Sequence, residues 1–275
     1  MIATDEQRAA IDSDAPNILC IATAGSGKTA TLIGRIRRLI EEGAKAQDMV
    51  AITYTVSAAA EFTARLQPED GSVRISLGYA GPLHGYCLRH LHRHGYEGYT
   101  VLDEAEAEEE LYRTAQDVKV GAGGREWFKQ LKREWLAGQH RDKTMVDVMM
   151  RQYYRRLHGE KLLDYDSILY MGLESFGKHP EPVMHLFVDE FQDASPLDFD
   201  LYTAISALNR FYCGDWRQSI FSFRGGNLAP FMRLAVDPEW LKLPLTINFR
   251  SDKEIVDAAD RLMSHANQFI HLHQA

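Results

Sequence analysis

The stretch from Cys20 to Gly34, CIATAGSGKTATLIG, limits the possible folds of this chain more than any other. Before it, Asn17-Ile18-Leu19-Cys20-Ile21 reads as a short buried strand. After it, Ala30 to Ile40 places Leu32, Ile33, Ile36, Leu39 and Ile40 at helical spacing. Between the two lies Gly25-Ser26-Gly27-Lys28-Thr29. A strand, a tight glycine loop and a helix in that order make a phosphate cradle. Backbone N–H groups wrap the phosphates, Lys28 reaches the β and γ groups, and the Thr29 hydroxyl holds Mg²⁺. The helix N-terminus adds partial positive charge. Ala22 stands where the GxxxxGK pattern has its first glycine. The expected ligands are therefore ATP and Mg²⁺, lined by Ala22, Thr23, Ala24, Gly25, Ser26, Gly27, Lys28 and Thr29.

The rest of the chain alternates strands and helices. Strands are expected at 49–54, 73–75, 186–188, 210–213 and 244–247, and helices at 5–14, 57–66 and 83–94. Alternation of this kind means a parallel sheet with crossover helices. Residues 104 to about 160 are mostly helical in pattern, broken at Gly121-Ala-Gly-Gly124, so they read as a helical insert. The predicted fold is α/β, a P-loop parallel sheet flanked by helices. Its lobe is divided into 1–103 and 163–250, with the insert at 104–162 and a C-terminal helix in 251–275.

A chain of 275 residues with 45% hydrophobic content can build a sizeable core. The N-terminus has no apolar signal core, and no run of about 18 apolar residues occurs, so a cytoplasmic protein without a membrane partner is expected. Cys20, Cys87 and Cys213 are too scattered for a disulfide framework and read as buried thiols. Net charge is −8, which argues against a general nucleic-acid binder. Yet Lys119 to Lys161 holds eleven Lys or Arg against five Asp or Glu, directly after the acidic run 103–110. That segment reads either as a solvated helix face or as a phosphate-contacting surface. Trp127 and Trp135 within it read as core, with base stacking on DNA as the alternative. His90 and His94 share a helix face. No Cys or acid completes a metal set in the sequence around them, so they read as surface or DNA-proximal histidines.

Two further segments carry chemistry. In HLFVDEFQDASP, residues 185–196, an apolar strand delivers Asp189 and Glu190 at its C-terminal end, where open α/β sheets place ligands. One carboxylate suits Mg²⁺ and the next can deprotonate an attacking water. In YCGDWRQSIFSFRGG, residues 212–226, Gln218 can sense a γ-phosphate, and Phe221 and Phe223 suit either base stacking or core packing.

Taken in order, TDEQRAAI, ATAGSGKT, AITYTVSAAAEFTARL, GPLHGYCLRHL, LDYDSIL, FVDEFQDASP, CGDWRQSIFSFRGG and LTINFRS resemble the motif series of superfamily 1A DNA helicases, the UvrD/Rep/PcrA-like family. The resemblance implies an adenine-reading role for Gln7 and phosphate and Mg²⁺ roles for Lys28 and Thr29. It further implies a metal-binding Asp189, a catalytic base in Glu190, a γ-phosphate sensor in Gln218 and a charge-stabilising Arg250. Tyr54, His84, Phe221 and Phe223 match positions that line a single-stranded DNA path. The sequence departs from the family at Thr53 to Ala59, which lacks an amide and a lysine, and at Pro82-Leu83-His84, which lacks a hydroxyl and an aromatic. The resemblance covers the family's first RecA-like lobe, and a second lobe is expected from another polypeptide or a longer chain. The implied function is ATP-driven movement on DNA. The alternative is a nucleotide-gated binding module without unwinding activity, or one half of a split helicase.

Overall fold

The structure is a computed structural model that describes residues 3–68, 74–119, 123–136, 144–219 and 228–266, the side chains of 260 and 262–266 excepted. Its strands are β1 (Asn17–Ala22), β2 (Met49–Ile52), β3 (Tyr79–Gly81), β4 (Thr100–Val101), β5 (Leu162–Leu163), β6 (Val183–Val188), β7 (Ala207–Gly214) and β8 (Leu241–Leu245). Six of them form one sheet in the order β3-β2-β6-β7-β1-β8, and every pairing in it is parallel.

Successive side chains of a strand point to opposite faces, so a parallel sheet covered on both sides needs apolar residues at nearly every position. β1 and β2 meet that demand. Ile18, Cys20 and Ala22 face one core with Met49 and Ala51, while Leu19 faces the other with Val50 and Ile52. The first core is closed by α1 (Asp5–Asp12), α2 (Lys28–Glu41) and α3 (Val56–Leu66) through Ala10, Leu32, Ile33, Ile36, Phe62 and Leu66. The second is closed by α4 (Leu83–Arg93), by α8 (Tyr165–Lys178), by α9 (Pro196–Ala204) and by α10 (Leu228–Val236). Pro244 is tolerated because β8 is an edge strand that pairs only with β1.

Helices α5 (Glu104–Val118), α6 (Arg125–Leu136) and α7 (Met145–Gly159) pack on one another between β4 and β5. Those two strands pair in parallel, Thr100 with Leu162 and Val101 with Leu163, and so bring the two ends of the helical segment together. The last helix, α11, spans Lys253–Ala266.

Two expectations need correcting. The third strand is Tyr79–Gly81, and Arg74 and Ile75 lie outside any strand. The chain enters β3 through Gly78, whose N–H donates to the Ala46 carbonyl at 3.0 Å. A Cβ at Gly78 would lie 2.1 Å from the Gln47 carbonyl oxygen, so only glycine permits this approach. Of the tryptophans, Trp135 is buried and donates to Asp147 at 3.1 Å, but Trp127 is 43% exposed. The three cysteines are free and buried, as expected. Among the described residues no helix is long and apolar enough to cross a membrane.

Candidate functional site

The C-terminal ends of β1, β6 and β7 meet at one edge of the sheet, and each delivers part of the site. β1 runs into the glycine loop. Gly25 and Gly27 adopt φ of 69° and 83°, left-handed conformations that an L side chain resists. Gly27 precedes α2 without a side-chain cap, which leaves the helix N-terminus open to an anion. Inside the loop the Ser26 hydroxyl is buried and has no hydrogen-bond partner among the described residues. An orphaned buried hydroxyl beside an open helix N-terminus fits a phosphate.

β6 ends at Val188, and Asp189 and Glu190 follow. Thr29 Oγ1 donates to Asp189 Oδ2 at 2.8 Å, so the two expected metal ligands are already in contact. Burial raises the Asp189 pKa and the charge of Glu190 raises it further, a setting that a divalent cation would relieve. Glu190 takes a left-handed backbone, φ 54°, at the start of a single 3-10 turn, Phe191–Asp193. Strain of this kind at a non-glycine residue is common at working sites. Its Oε2 lies 3.2 Å from Lys28 Nζ. β7 ends before Asp215, and the turn Trp216–Gln218 brings Gln218 Oε1 to accept from Lys28 Nζ at 3.3 Å. Lys28, Thr29, Asp189, Glu190 and Gln218 are therefore one cluster.

The remaining loop residues have structural partners. Thr23 N–H donates to the Leu245 carbonyl at 2.9 Å, and its hydroxyl to the carbonyls of Leu245 and Thr246. Ala22 is buried at the end of β1. Gln7 donates from Nε2 to the Ser26 carbonyl at 3.1 Å, and its Oε1 accepts from Thr4 N–H in a capping box. Both ends of its amide are thus engaged in holding the loop. Arg250 is exposed beside the loop, and a Cβ on Gly25 would lie 2.8 Å from the Arg250 Cβ.

Three contributors were not singled out from sequence. Gln192 donates to Glu190 Oε2 at 2.9 Å and accepts from Asp215 N–H at 2.9 Å, bridging the ends of β6 and β7. Asp193 is pushed up to about 6 by burial and by Glu190, and its Oδ1 has no partner among the described residues. Asn248 donates to the Ala24 carbonyl at 2.7 Å and accepts from the N–H groups of Arg250 and Ser251, each at 2.8 Å. It fastens the 245–251 segment to the glycine loop. Gln192 and Asp193 lie in the acidic segment 185–196, but nothing in the sequence says what an amide 224 residues from the loop will touch. Asn248→Ala is expected to speed hydrogen exchange at Phe249, Arg250 and Ser251 by roughly 10–100-fold while far-UV circular dichroism stays unchanged. Unchanged exchange at those amides would show that the Phe249 N–H bond to Gly25, at 2.9 Å, is sufficient alone.

Tyr54 and His84 sit along the same sheet edge, after β2 and β3 rather than over the glycine loop. Tyr54 is 37% exposed. His84 is half-buried, packs edge-on against Tyr165 at 5.4 Å, and has a pKa lowered by burial despite the nearby carboxylates of Asp198 and Asp166. Tyr165 is 63% exposed and extends this aromatic edge, a residue the sequence reading passed over. Phe221 and Phe223 lie outside the described residues.

Several cations of the basic segment are paired within the chain. Lys129 contacts Glu108 at 2.6 Å and Glu104 at 3.3 Å. Arg156 contacts Asp117 at 3.0 Å and Glu110 at 3.2 Å, and Arg125 pairs with Glu109. The acidic run on α5 is thus the counter-ion of several cations on α6 and α7. His90 also departs from expectation. It is fully buried, not a surface residue, and the acid absent from the sequence around it is supplied by Glu181.

The sequence matches the family described as UvrD/REP helicase N-terminal domain over residues 3–239. It is 26% identical to the ATP-dependent DNA helicases PcrA of Staphylococcus epidermidis and Staphylococcus aureus, across 96% of this chain and 40% of theirs. The chain thus spans about 40% of the length of these curated relatives. Among solved structures it is similar to the Pif1 helicase from Candida albicans, with a TM-score of 0.42 and 14% identity over 95% of this chain and 44% of that one.

Proposed function

Because the chain belongs to the UvrD/REP helicase N-terminal domain family, we propose that it is the ATP-binding and hydrolysing lobe of a UvrD-like DNA helicase or translocase. The observation that carries this reading is the convergence of three strand ends on Lys28. Its ammonium lies 3.2 Å from Glu190 and 3.3 Å from Gln218, beside the Thr29–Asp189 contact of 2.8 Å. In this reading the loop N–H groups and Ser26 take the phosphates, and Lys28 exchanges its carboxylate partner for the β and γ groups. Thr29 and Asp189 hold Mg²⁺, which when bound would neutralise charge on the phosphate oxygens. Glu190 accepts the proton of the attacking water, held in place by Gln192. Gln218 registers the γ-phosphate, and Arg250 offers charge to it. Gln7 reads the adenine only if its amide releases Ser26 or Thr4.

The helices of 104–162 form, in this reading, a subdomain inserted between lobe parts 1–103 and 163–250. Tyr54, His84, Phe221 and Phe223 are proposed contacts for single-stranded DNA, with Tyr165 added to them. A second RecA-like lobe, in the same or another polypeptide, is proposed to close over the loop. Ile247 and Phe249, in the segment fastened to the loop, and Ile255 just after it expose 47%, 48% and 61% of their surface and suit burial under such a lobe. The departures at 53–59 and 82–84 favour a second reading, a nucleotide-gated binding module without unwinding.

Steady-state ATPase of the chain, with and without single-stranded DNA and beside a Glu190→Gln control, tests the proposal. DNA-stimulated turnover that the control loses is the expected result. Turnover equal in both proteins would overturn the assignment of this site. ATP-dependent DNA binding without turnover would favour the second reading.

A further inference from the structure

At the opposite edge of the sheet, α4 ends and β6 begins. His90 lies in the last turn of α4 and His94, four residues on, caps its C-terminal end; their ring centroids are 4.5 Å apart. Glu181, two residues before β6, reaches the same point. Its Oε1 lies 2.9 Å from His94 Nε2 and 3.4 Å from His90 Nδ1. Donor atoms around a tetrahedral zinc ion, bound at the usual Zn–N and Zn–O lengths, sit about 3.3 Å from one another. The donor atoms here all lie within 4.8 Å of one another.

His90 is the telling residue. It is 0% exposed, and among the described residues neither ring nitrogen makes an aligned hydrogen bond. The Nδ1 contact with Glu181 is not aligned for a hydrogen bond. A buried imidazole of this kind calls for a partner, and a metal ion would supply one. The Ser175 backbone carbonyl lies near enough to act on the ring without an aligned hydrogen bond, and it is the kind of acceptor that would take the N–H of a ligating histidine. Phe176 stacks on His90 at 3.9 Å, and His179 stacks on His94 at 4.6 Å, so both rings are held in place. Arg93 takes the other carboxylate oxygen, Oε2, at 2.9 Å and leaves Oε1 toward the histidines.

We propose that His90, His94 and Glu181 form a site for a divalent transition metal of the zinc type, with solvent in the fourth position. The ion would join the last turn of α4 to the start of β6, the strand that carries Asp189 and Glu190 at its far end. The site is separate from the nucleotide cluster, and the proposal stands whether or not ATP is hydrolysed.

Co²⁺ reports tetrahedral nitrogen and oxygen coordination through visible d–d absorption, and Zn²⁺ displaces it. Titration of the chain with Co²⁺ is expected to saturate this band at one equivalent, and Zn²⁺ is expected to abolish it and to raise Tm. His94→Ala and Glu181→Gln, checked by circular dichroism for an unchanged fold, are expected to weaken binding by about tenfold or more. They spare the buried His90, whose replacement risks unfolding. The chain also carries His265, His271 and His273 near its end. A combined His271→Ala, His273→Ala variant is expected to keep the band. Loss of binding in that variant, retention in His94→Ala and Glu181→Gln, or no Co²⁺ uptake by the chain would each overturn the proposal.

Discussion

Glu190→Gln is expected to bind ATP at least as tightly as the unsubstituted chain and to hydrolyse it roughly 10²–10⁴-fold more slowly, the usual worth of a positioned general base. Glutamine keeps the side-chain length and an oxygen for the bond from Gln192, which lies 2.9 Å from Glu190 Oε2. What it loses is the proton-accepting carboxylate and one negative charge near the phosphates. That charge also contributes to the raised pKa of Asp189, so the substitution favours an ionised Asp189 and cation binding. Lys28→Ala should separate from it in the opposite sense. Its ammonium is buried, and its partners in this structure are Glu190 and Gln218. A hydrogen bond to a charged group is worth about 1.5–3 kcal/mol, so ATP affinity should fall roughly 10–100-fold. Equilibrium binding of a fluorescent ATP analogue and single-turnover hydrolysis, run on both variants, separate the two roles. Equal affinity in Lys28→Ala would remove Lys28 from the phosphate site. Full turnover in Glu190→Gln would place the base elsewhere.

The second large effect concerns the joint between the helical segment and the sheet. Lys132 on α6 reaches Asp164 at 2.6 Å and Asp166 at 2.7 Å, and its ammonium lies over the Tyr153 ring. Asp164 is buried, caps α8 and also accepts from the Tyr153 hydroxyl. Removing one partner of such a pair leaves an uncompensated buried charge and costs about 3–5 kcal/mol. Lys132→Ala should therefore lower Tm by roughly 6–20 °C, by the size scaling of unfolding entropy. The pH dependence gives a sharper test. Burial alone would raise the Asp164 pKa, but the Lys132 charge and the hydrogen bonds from Lys132 and Tyr153 more than offset it and hold the carboxyl below its ordinary value. A depressed carboxyl stabilises the fold above its unfolded pKa of about 4 and loses that contribution as pH falls through its folded value. Burial likewise pulls Lys132 down, yet the two carboxylates carry it above its ordinary value, so its contribution is full at neutral pH and fails only in strong alkali. Without Lys132 burial dominates and Asp164 rises. The variant should then lose less stability than the parent on acidification below about pH 5, and chemical denaturation across pH 3–8 measures the two slopes. Parallel slopes would mean that the pair does not set the charge of Asp164.

The sequence alone determined whatever rests on short-range spacing. The glycine loop is legible because a strand, two glycines, Lys28 and a helix are contiguous, and backbone N–H groups supply most of the cradle. Helix starts are legible where both halves of a cap are three residues apart, as in Thr4–Gln7, Asp103–Glu106 and Ser195–Asp198. The central strands are legible because burial on both faces demands apolar residues in both registers. β3 was not, since Tyr79-Ala80-Gly81 has no apolar run, and the close approach at Gly78 decides its place. Tertiary structure alone chose the distant partners. It set Asn248 on the glycine loop, Gln192 between Glu190 and Asp215, Lys132 on Asp164, the acids of α5 on the cations of α6 and α7, and Glu181 beside His90 and His94. The physical reason is one of range. Caps, turns and strand faces are set by the backbone dihedrals of a few neighbours. The partner of a buried amide, ammonium or imidazole is set by which strand ends and helix turns the sheet order brings together, and that order is a property of the whole chain.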